Sequence, residues 1–142
     1  MISSTHFHPM MVHFPIAIIT VGFLFDLIAL LFKKNVCFSK TGYWLEIIGM
    51  VGTILAFGTG YFFTSPMEGE AGVLREKHQL YATITLVIII LATIYRLVIT
   101  YLNKESATTA YLSLGLFFLA TLFVSITGYL GGTLVIDFMI GL

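Results

Sequence analysis

Four long apolar runs follow one another along the chain, separated by shorter polar stretches. They cover approximately residues 10–32, 43–63, 79–102 and 110–130. Each run reaches or exceeds the roughly 20 residues that an α-helix needs to cross a bilayer. The pattern therefore predicts four membrane-spanning helices. The alternating short strands of a membrane barrel are not found in the sequence.

The breaks between the runs are too short for long crossover connections. They are Lys33-Lys34-Asn35, a longer stretch over residues 64–77, and Asn103-Lys104-Glu105-Ser106. Short connections make neighbouring helices antiparallel. We therefore predict an all-α, up-down-up-down four-helix bundle that forms a single domain over residues 1–142.

Basic residues are distributed unevenly between the two sides of the predicted bundle. One side carries four lysines: Lys33, Lys34, Lys40 and Lys104. The opposite side carries Arg75 and Lys77, close to three glutamates. Because basic residues accumulate on the cytoplasmic side, we expect both termini to face away from the cytoplasm. The expected location is a bacterial inner membrane, with the lipid bilayer as the main partner.

Composition agrees with a membrane protein and excludes several other classes. Of the 142 residues, 58% are hydrophobic and 10% are charged, whereas a soluble domain carries about 25% charged residues. The formal net charge is zero, so nothing indicates a nucleic-acid partner. A single cysteine, Cys37, excludes an internal disulfide and a metal site built from a pair of cysteines.

The two halves of the chain contain similar short sequences at corresponding places. The first run opens with HFPIAIIT from His13 and the third with HQLYATIT from His78, so that His, Ala, Ile and Thr coincide. The second and fourth runs end with Thr-Gly-Tyr, which contains Gly60 in one copy and Gly128 in the other. The pattern predicts two pseudo-repeated helical hairpins related by a twofold axis along the membrane normal.

This repeat makes the first and third helices diagonal partners in the bundle. His13 and His78 would then face each other across the bundle axis, with Gly60 and Gly128 leaving room for a flat group. Haem iron accepts axial histidines, and helical bundles build cofactor sites from facing helices. The hypothesis is a bis-histidine haem b that transfers electrons near the outer membrane face. His8 is the substitute ligand if His13 points away.

Two other interpretations remain open. His13 and His78 could be interfacial residues of a cofactor-free structural or assembly subunit. Alternatively, His6, His8 and His13 could bind copper or zinc, since imidazole suits both metals. The sequence contains no nucleophile–base pair and no phosphate-binding loop, which favours an electron-transfer subunit over an enzyme.

Three charged residues fall inside the apolar runs at the end away from the histidines. They are Asp26, Glu46 and Arg96. Ionisable groups within membrane spans are rare and usually paired, so we expect Arg96 to reach the interface or to pair with Asp26 or Glu46. The residues between this end and the histidines are apolar, which argues against a proton path.

Two segments lie outside the predicted spans. Residues 64–77 form an acidic, glycine-containing connection on the histidine side. The tail over residues 131–142 is too short to cross a bilayer and apolar enough to lie on the outer surface or against a partner. We therefore expect an ordinary connector over residues 64–77, and a tail over residues 131–142 that lies on the outer surface or against a partner.

The motif HPMMVHFP from His8, with His78 and TGYLGG from Thr127, resembles an uncharacterised family of four-span membrane proteins, domain of unknown function 2231. Its members open with H-P-x-x-V-H-F-P, and the resemblance covers nearly the whole chain. Some members are fused to Rieske or cytochrome c domains. The resemblance thus implies a redox role and redox partner subunits. Many relatives have a histidine after Gly132, where this chain reads VIDF from Val135.

Overall fold

The computed structural model describes residues 7–32 and 36–138. It contains four helices: α1 (Phe7–Leu31), α2 (Val36–Phe63), α3 (Gly69–Tyr101) and α4 (Ala107–Phe138). All four are long and apolar enough to cross a membrane. α1 packs against α2 and α4, and α3 packs against α4 and α2, so α1 and α3 are diagonal partners. The predicted all-α four-helix bundle is confirmed.

The helices extend further than the apolar runs do. α3 begins at Gly69, so most of residues 64–77 is helical and only residues 64–68 form an open connection. α4 continues through Gly131 and Gly132 to Phe138, so the prediction of a surface-lying tail is wrong for residues 131–138. Glycine is tolerated in membrane helices because the helix retains its own hydrogen bonds without competition from water.

Large apolar side chains face outwards on every helix. Among the exposed ones are Phe14, Trp44, Leu91 and Phe118. Such a surface suits contact with lipid tails rather than with water. The side of the bilayer on which each end lies stays a prediction. Lys33 and Lys34, on which that prediction depends, are outside the described residues.

Small residues let α2 approach α1 very closely. A Cβ atom on Gly42 would lie 2.1 Å from the Asp26 Oδ1 atom, and one on Gly49 would lie 2.7 Å from Ile19. Close backbone approach at small residues is how membrane helices gain packing contacts without a hydrophobic driving force. Towards the middle of the bundle, five buried side chains form the core: Ile19, Ile89, Phe117, Ala120 and Val124.

The two hairpins repeat each other in a register different from the predicted one. The buried positions of α1 are Pro15, Ile19 and Gly22. Those of α3 include Thr85, Ile89 and Ala92, each 70 positions later. This register places His8, and not His13, in correspondence with His78, and it places Asp26 in correspondence with Arg96. A pseudo-repeat of two hairpins is therefore present, but the local sequence match from His13 was a misleading guide to it.

Charged groups meet at the end of the bundle opposite to the histidines. Arg96 forms ion pairs with both Asp26 and Glu46. Asp26 follows His8 by 18 residues, and Arg96 follows His78 by the same number. Eighteen residues are about five helical turns and span about 27 Å, so each helix presents its histidine and its charged residue on one face. The expected pairing of Arg96 with a buried carboxylate is confirmed.

Candidate functional site: a histidine pair beside a cavity

His8 lies at the start of α1 and its imidazole is anchored to α2. The Nδ1 atom lies 3.1 Å from the Ala56 carbonyl oxygen and 3.1 Å from the Thr59 Oγ1 atom. A carbonyl oxygen only accepts hydrogen bonds, so Nδ1 is the donor and carries the proton. Thr59 in turn donates its hydroxyl proton to the same carbonyl, at 2.8 Å. In the neutral ring this arrangement leaves the lone pair on Nε2.

His78 repeats this arrangement on α3 and α4. Its Nδ1 atom donates to the Thr127 carbonyl oxygen at 3.1 Å. The Thr127 hydroxyl lies 3.0 Å from the hydroxyl of Thr85, one of the buried residues of α3. The ring-to-carbonyl bond spans 49 residues here and 48 residues at His8. Both imidazoles are therefore fixed in the same tautomer by equivalent carbonyls of the neighbouring helix.

The two anchored rings face each other across the bundle. The ring centroids of His8 and His78 are 6.2 Å apart and the ring planes are inclined by 75°. His13 lies five residues further along α1 than His8, which corresponds to a rotation of about 140° around the helix. His13 is exposed. The structure thus places His8, the substitute of the sequence analysis, in the position expected for His13. The prediction that His13 meets His78 is therefore wrong, and the imidazole that meets His78 is that of His8.

Glycines lie beside both rings. A Cβ atom on Gly60 would lie 2.9 Å from the His8 Cε1 atom, and one on Gly131 would lie 3.0 Å from the His78 Cε1 atom. Gly128, which we expected next to His78, instead faces the side chain of Ile16. Sequence reasoning therefore missed Gly131. Its separation of 71 residues from Gly60, close to the 70 between the histidines, was the available signal.

A cavity of about 700 Å³ opens at the histidine pair. Every candidate residue of the sequence analysis that the structure describes lines it: His8, His13, His78, Gly60 and Gly128. Small-molecule and cofactor sites commonly measure about 300–1,000 Å³. The lining also includes Arg75, whose guanidinium donates to the Thr64 hydroxyl at 3.3 Å. Among the described residues that line the cavity, Arg75 is the one Asp, Glu, Lys or Arg, and sequence reasoning did not connect it with the histidines.

Metal coordination by several side chains is not indicated within residues 7–32 and 36–138. No group of three or more histidine, cysteine, aspartate or glutamate residues has a suitable arrangement there. The copper or zinc hypothesis also required His6, which lies outside the described residues. The two anchored imidazoles, His8 and His78, are hydrogen-bonded through Nδ1.

Fold and site together define a four-span membrane protein with a histidine-lined cavity near one end of its bundle. The chain belongs to a family described as predicted membrane protein, DUF2231, which matches residues 5–142. No curated protein and no solved structure matches the chain. The resemblance noted from the motif at His8 is thereby confirmed. The family description assigns membrane location and no activity.

Proposed function

We propose that this protein is a b-type haem protein that transfers electrons at one membrane face, with His8 and His78 as the axial ligands. The observation that carries the proposal is the pair of imidazoles, each held through Nδ1–H by a carbonyl oxygen. Metal-binding histidines usually donate their second ring nitrogen in this way, which fixes the tautomer and frees the other nitrogen for the metal.

The separation of the rings suits two ligands on opposite sides of one metal ion. Metal–imidazole bonds of about 2.0–2.1 Å place the centroids of two trans ligands about 6.4 Å apart. The centroids of His8 and His78 lie 6.2 Å apart. In a tetrahedral site the same bonds would bring the centroids to about 5.2 Å. The observed separation is compatible with both rings binding one metal ion through Nε2, and it exceeds the separation expected for tetrahedral zinc.

The surroundings of the pair fit a flat cofactor with an anionic edge. Gly60 and Gly131 leave space beside the rings, since a side chain at either position would contact an imidazole. The cavity is lined mainly by apolar residues and contains the partly buried Arg75. This guanidinium would pair with a carboxylate at the rim of the cofactor. Bound haem supplies reversible one-electron chemistry, and the chain supplies ligands, orientation and shielding from water.

The position of the pair supports exchange of electrons with a partner at the membrane surface. His8 is the second residue of α1, so the site lies near one end of the bundle. Electron donor and acceptor subunits would dock there. By the charge distribution of the sequence this end faces away from the cytoplasm, in the inner membrane.

The test is a visible spectrum of the full chain, purified in mild detergent from cells that are supplied with haem precursor. We expect a Soret band and a reduced-minus-oxidised α band. Both bands should disappear in His8→Ala and in His78→Ala, and they should persist in His13→Ala, the matched control on the same helix. A folded wild-type protein without haem bands would refute the proposal, as would loss of the bands in His13→Ala alone.

The alternative is a cofactor-free structural subunit. It is supported by the tight packing of Gly42 and Gly49 against α1, which shows that small residues of α2 already have a structural role. Under this alternative, the histidines would serve to cross-link helix ends through Ala56 and Thr127. A colourless, well-folded protein that loses stability in His8→Ala would favour it.

A further inference from the structure

A second polar site lies at the opposite end of the bundle, where three charged side chains are buried together. The Arg96 guanidinium contacts Asp26 through both terminal nitrogens, one of them at 2.8 Å from Oδ1, and it contacts the Glu46 Oε2 atom at 2.7 Å. The side chains of Arg96, Asp26 and Glu46 are 14%, 9% and 1% exposed. The cluster is therefore shielded from water.

The charges of this cluster do not balance. Two carboxylates share one guanidinium, and Arg96 and Asp26 are the charged groups that act on Glu46 in the described part of the chain. From α2 itself, the Tyr43 ring lies 5.6 Å from the Arg96 guanidinium carbon. In the pseudo-repeat, the position of α4 that corresponds to Glu46 is occupied by the buried, apolar Phe117. An uncompensated buried anion in a membrane is strongly unfavourable.

Glu46 is the carboxyl group whose surroundings suit a neutral form. Asp26 uses both oxygens on the guanidinium, whereas only one oxygen of Glu46 does so. The Glu46 Oε1 atom is buried and has no hydrogen-bond partner among the described residues. The buried hydroxyl of Thr93, on α3 one turn before Arg96, also has none in that part of the chain. An ionised carboxylate is poorly served by such an environment, because each of its oxygens requires donors.

We propose that Glu46 is a proton-binding site, whose carboxyl group carries a proton at neutral pH while Asp26 and Arg96 remain an ion pair. With the proton on Glu46, the cluster is electrically neutral and Oε1 is a hydroxyl instead of a buried anionic oxygen. Exchange of this proton takes place from the end of the bundle at which Ser39 accepts a hydrogen bond from Arg96. The apolar core around Ile19 and Ile89 separates the site from the histidine pair.

Infrared spectroscopy of the full chain in detergent tests the proposal directly. A protonated carboxylic acid has a C=O stretching band that ionised carboxylates and amides lack, and the band shifts in D₂O. We expect one such band at neutral pH in the wild type, its loss in Glu46→Gln, and its persistence in Glu105→Gln, the control at an exposed carboxylate of the same bundle end. The wild-type band should disappear only when the pH is raised above neutral.

Three outcomes would overturn the proposal. The first is the absence of the band in wild-type protein at neutral pH. The second is loss of the band in Asp26→Asn but not in Glu46→Gln. The third is a missing band together with a thermal stability that increases with sodium concentration, which would indicate a bound cation. The pH titration of the wild type does not depend on whether the variants fold. Neither measurement involves haem, so this inference stands or fails separately from the proposed function.

Discussion

Substitution of Gly42 by alanine tests the packing at the charged end of the bundle. The added Cβ atom would lie 2.1 Å from the Asp26 Oδ1 atom and 2.6 Å from Cγ. Neither distance is possible in a folded protein, so the Asp26 carboxylate has to move. That carboxylate is held by Arg96, so a single methyl group disturbs a buried ion pair.

The expected loss of stability follows from two contributions. Overpacking of a tight contact costs about 1–3 kcal/mol, and complete loss of one partner of a buried ion pair costs about 3–5 kcal/mol. Asp26 is displaced and not removed, so only part of the second contribution applies. Alanine recovers up to about 1 kcal/mol through its higher helix propensity. We expect Gly42→Ala to lower the free energy of unfolding by about 2–4 kcal/mol.

The assay is reversible unfolding in mixed micelles with increasing sodium dodecyl sulfate, followed by circular dichroism. Gly58→Ala is the matched control on the same helix, because a Cβ atom there has no neighbour within 4 Å. Its stability should change by less than about 0.5 kcal/mol in the unfavourable direction. Equal stability of Gly42→Ala and Gly58→Ala would refute the reasoning.

A double-mutant cycle identifies the contact responsible. In an Asp26→Ala background the carboxylate is gone, so Gly42→Ala should cost much less than it does in the wild type. If Gly42→Ala is equally unfavourable in both backgrounds, its effect does not arise from contact with Asp26.

Two further predictions concern the histidine end and the membrane orientation. Gly60→Val should reduce haem content by about tenfold or more, equivalent to about 1.4 kcal/mol, because the valine side chain would clash with the His8 ring. Gly58→Val should retain haem. Equal haem content in the two variants would contradict this prediction. A membrane-impermeant maleimide should label the exposed Cys37 in inverted vesicles and not in intact cells. Glu70→Cys in a Cys37→Ser background should be labelled in intact cells and not in inverted vesicles. Labelling of Cys37 in intact cells would show that the orientation is the opposite of the proposed one.

The number of helices and their arrangement could be predicted from hydrophobicity. Only helices and closed barrels satisfy their backbone within lipid, and long continuous apolar runs indicate helices. The positions of the helix ends could not be predicted from hydrophobicity. Residues 69–77 contain four charged side chains and precede the apolar run, yet they form the first turns of α3. Hydropathy detects the part of a helix that contacts hydrocarbon and carries no information about its extension into water.

The identity of the paired histidine could not be fixed from local similarity. His13 resembles His78 in the residues that follow it, but the packing of the helices determines which face of α1 points inwards. The better signal was the equal spacing of 18 residues from His8 to Asp26 and from His78 to Arg96. That spacing places polar groups on one face at both ends of each helix, and polar groups of a membrane helix are placed towards the bundle interior.

The matched polar pairs at the two ends fix how the hairpins lie along the membrane normal. A slip of one hairpin past the other by a single turn, about 5.4 Å, would part His8 from His78 and Asp26 from Arg96 in the same movement. The described stretches of α1 and α3 between the two ends, residues 9–25 and 79–95, contain no Asp, Glu, Lys or Arg that could replace the lost charged partners. We therefore expect a one-turn shear of the kind used by some switching proteins to be strongly unfavourable in this bundle. A motion that preserves both contacts keeps the two hairpins at the same height along the bundle.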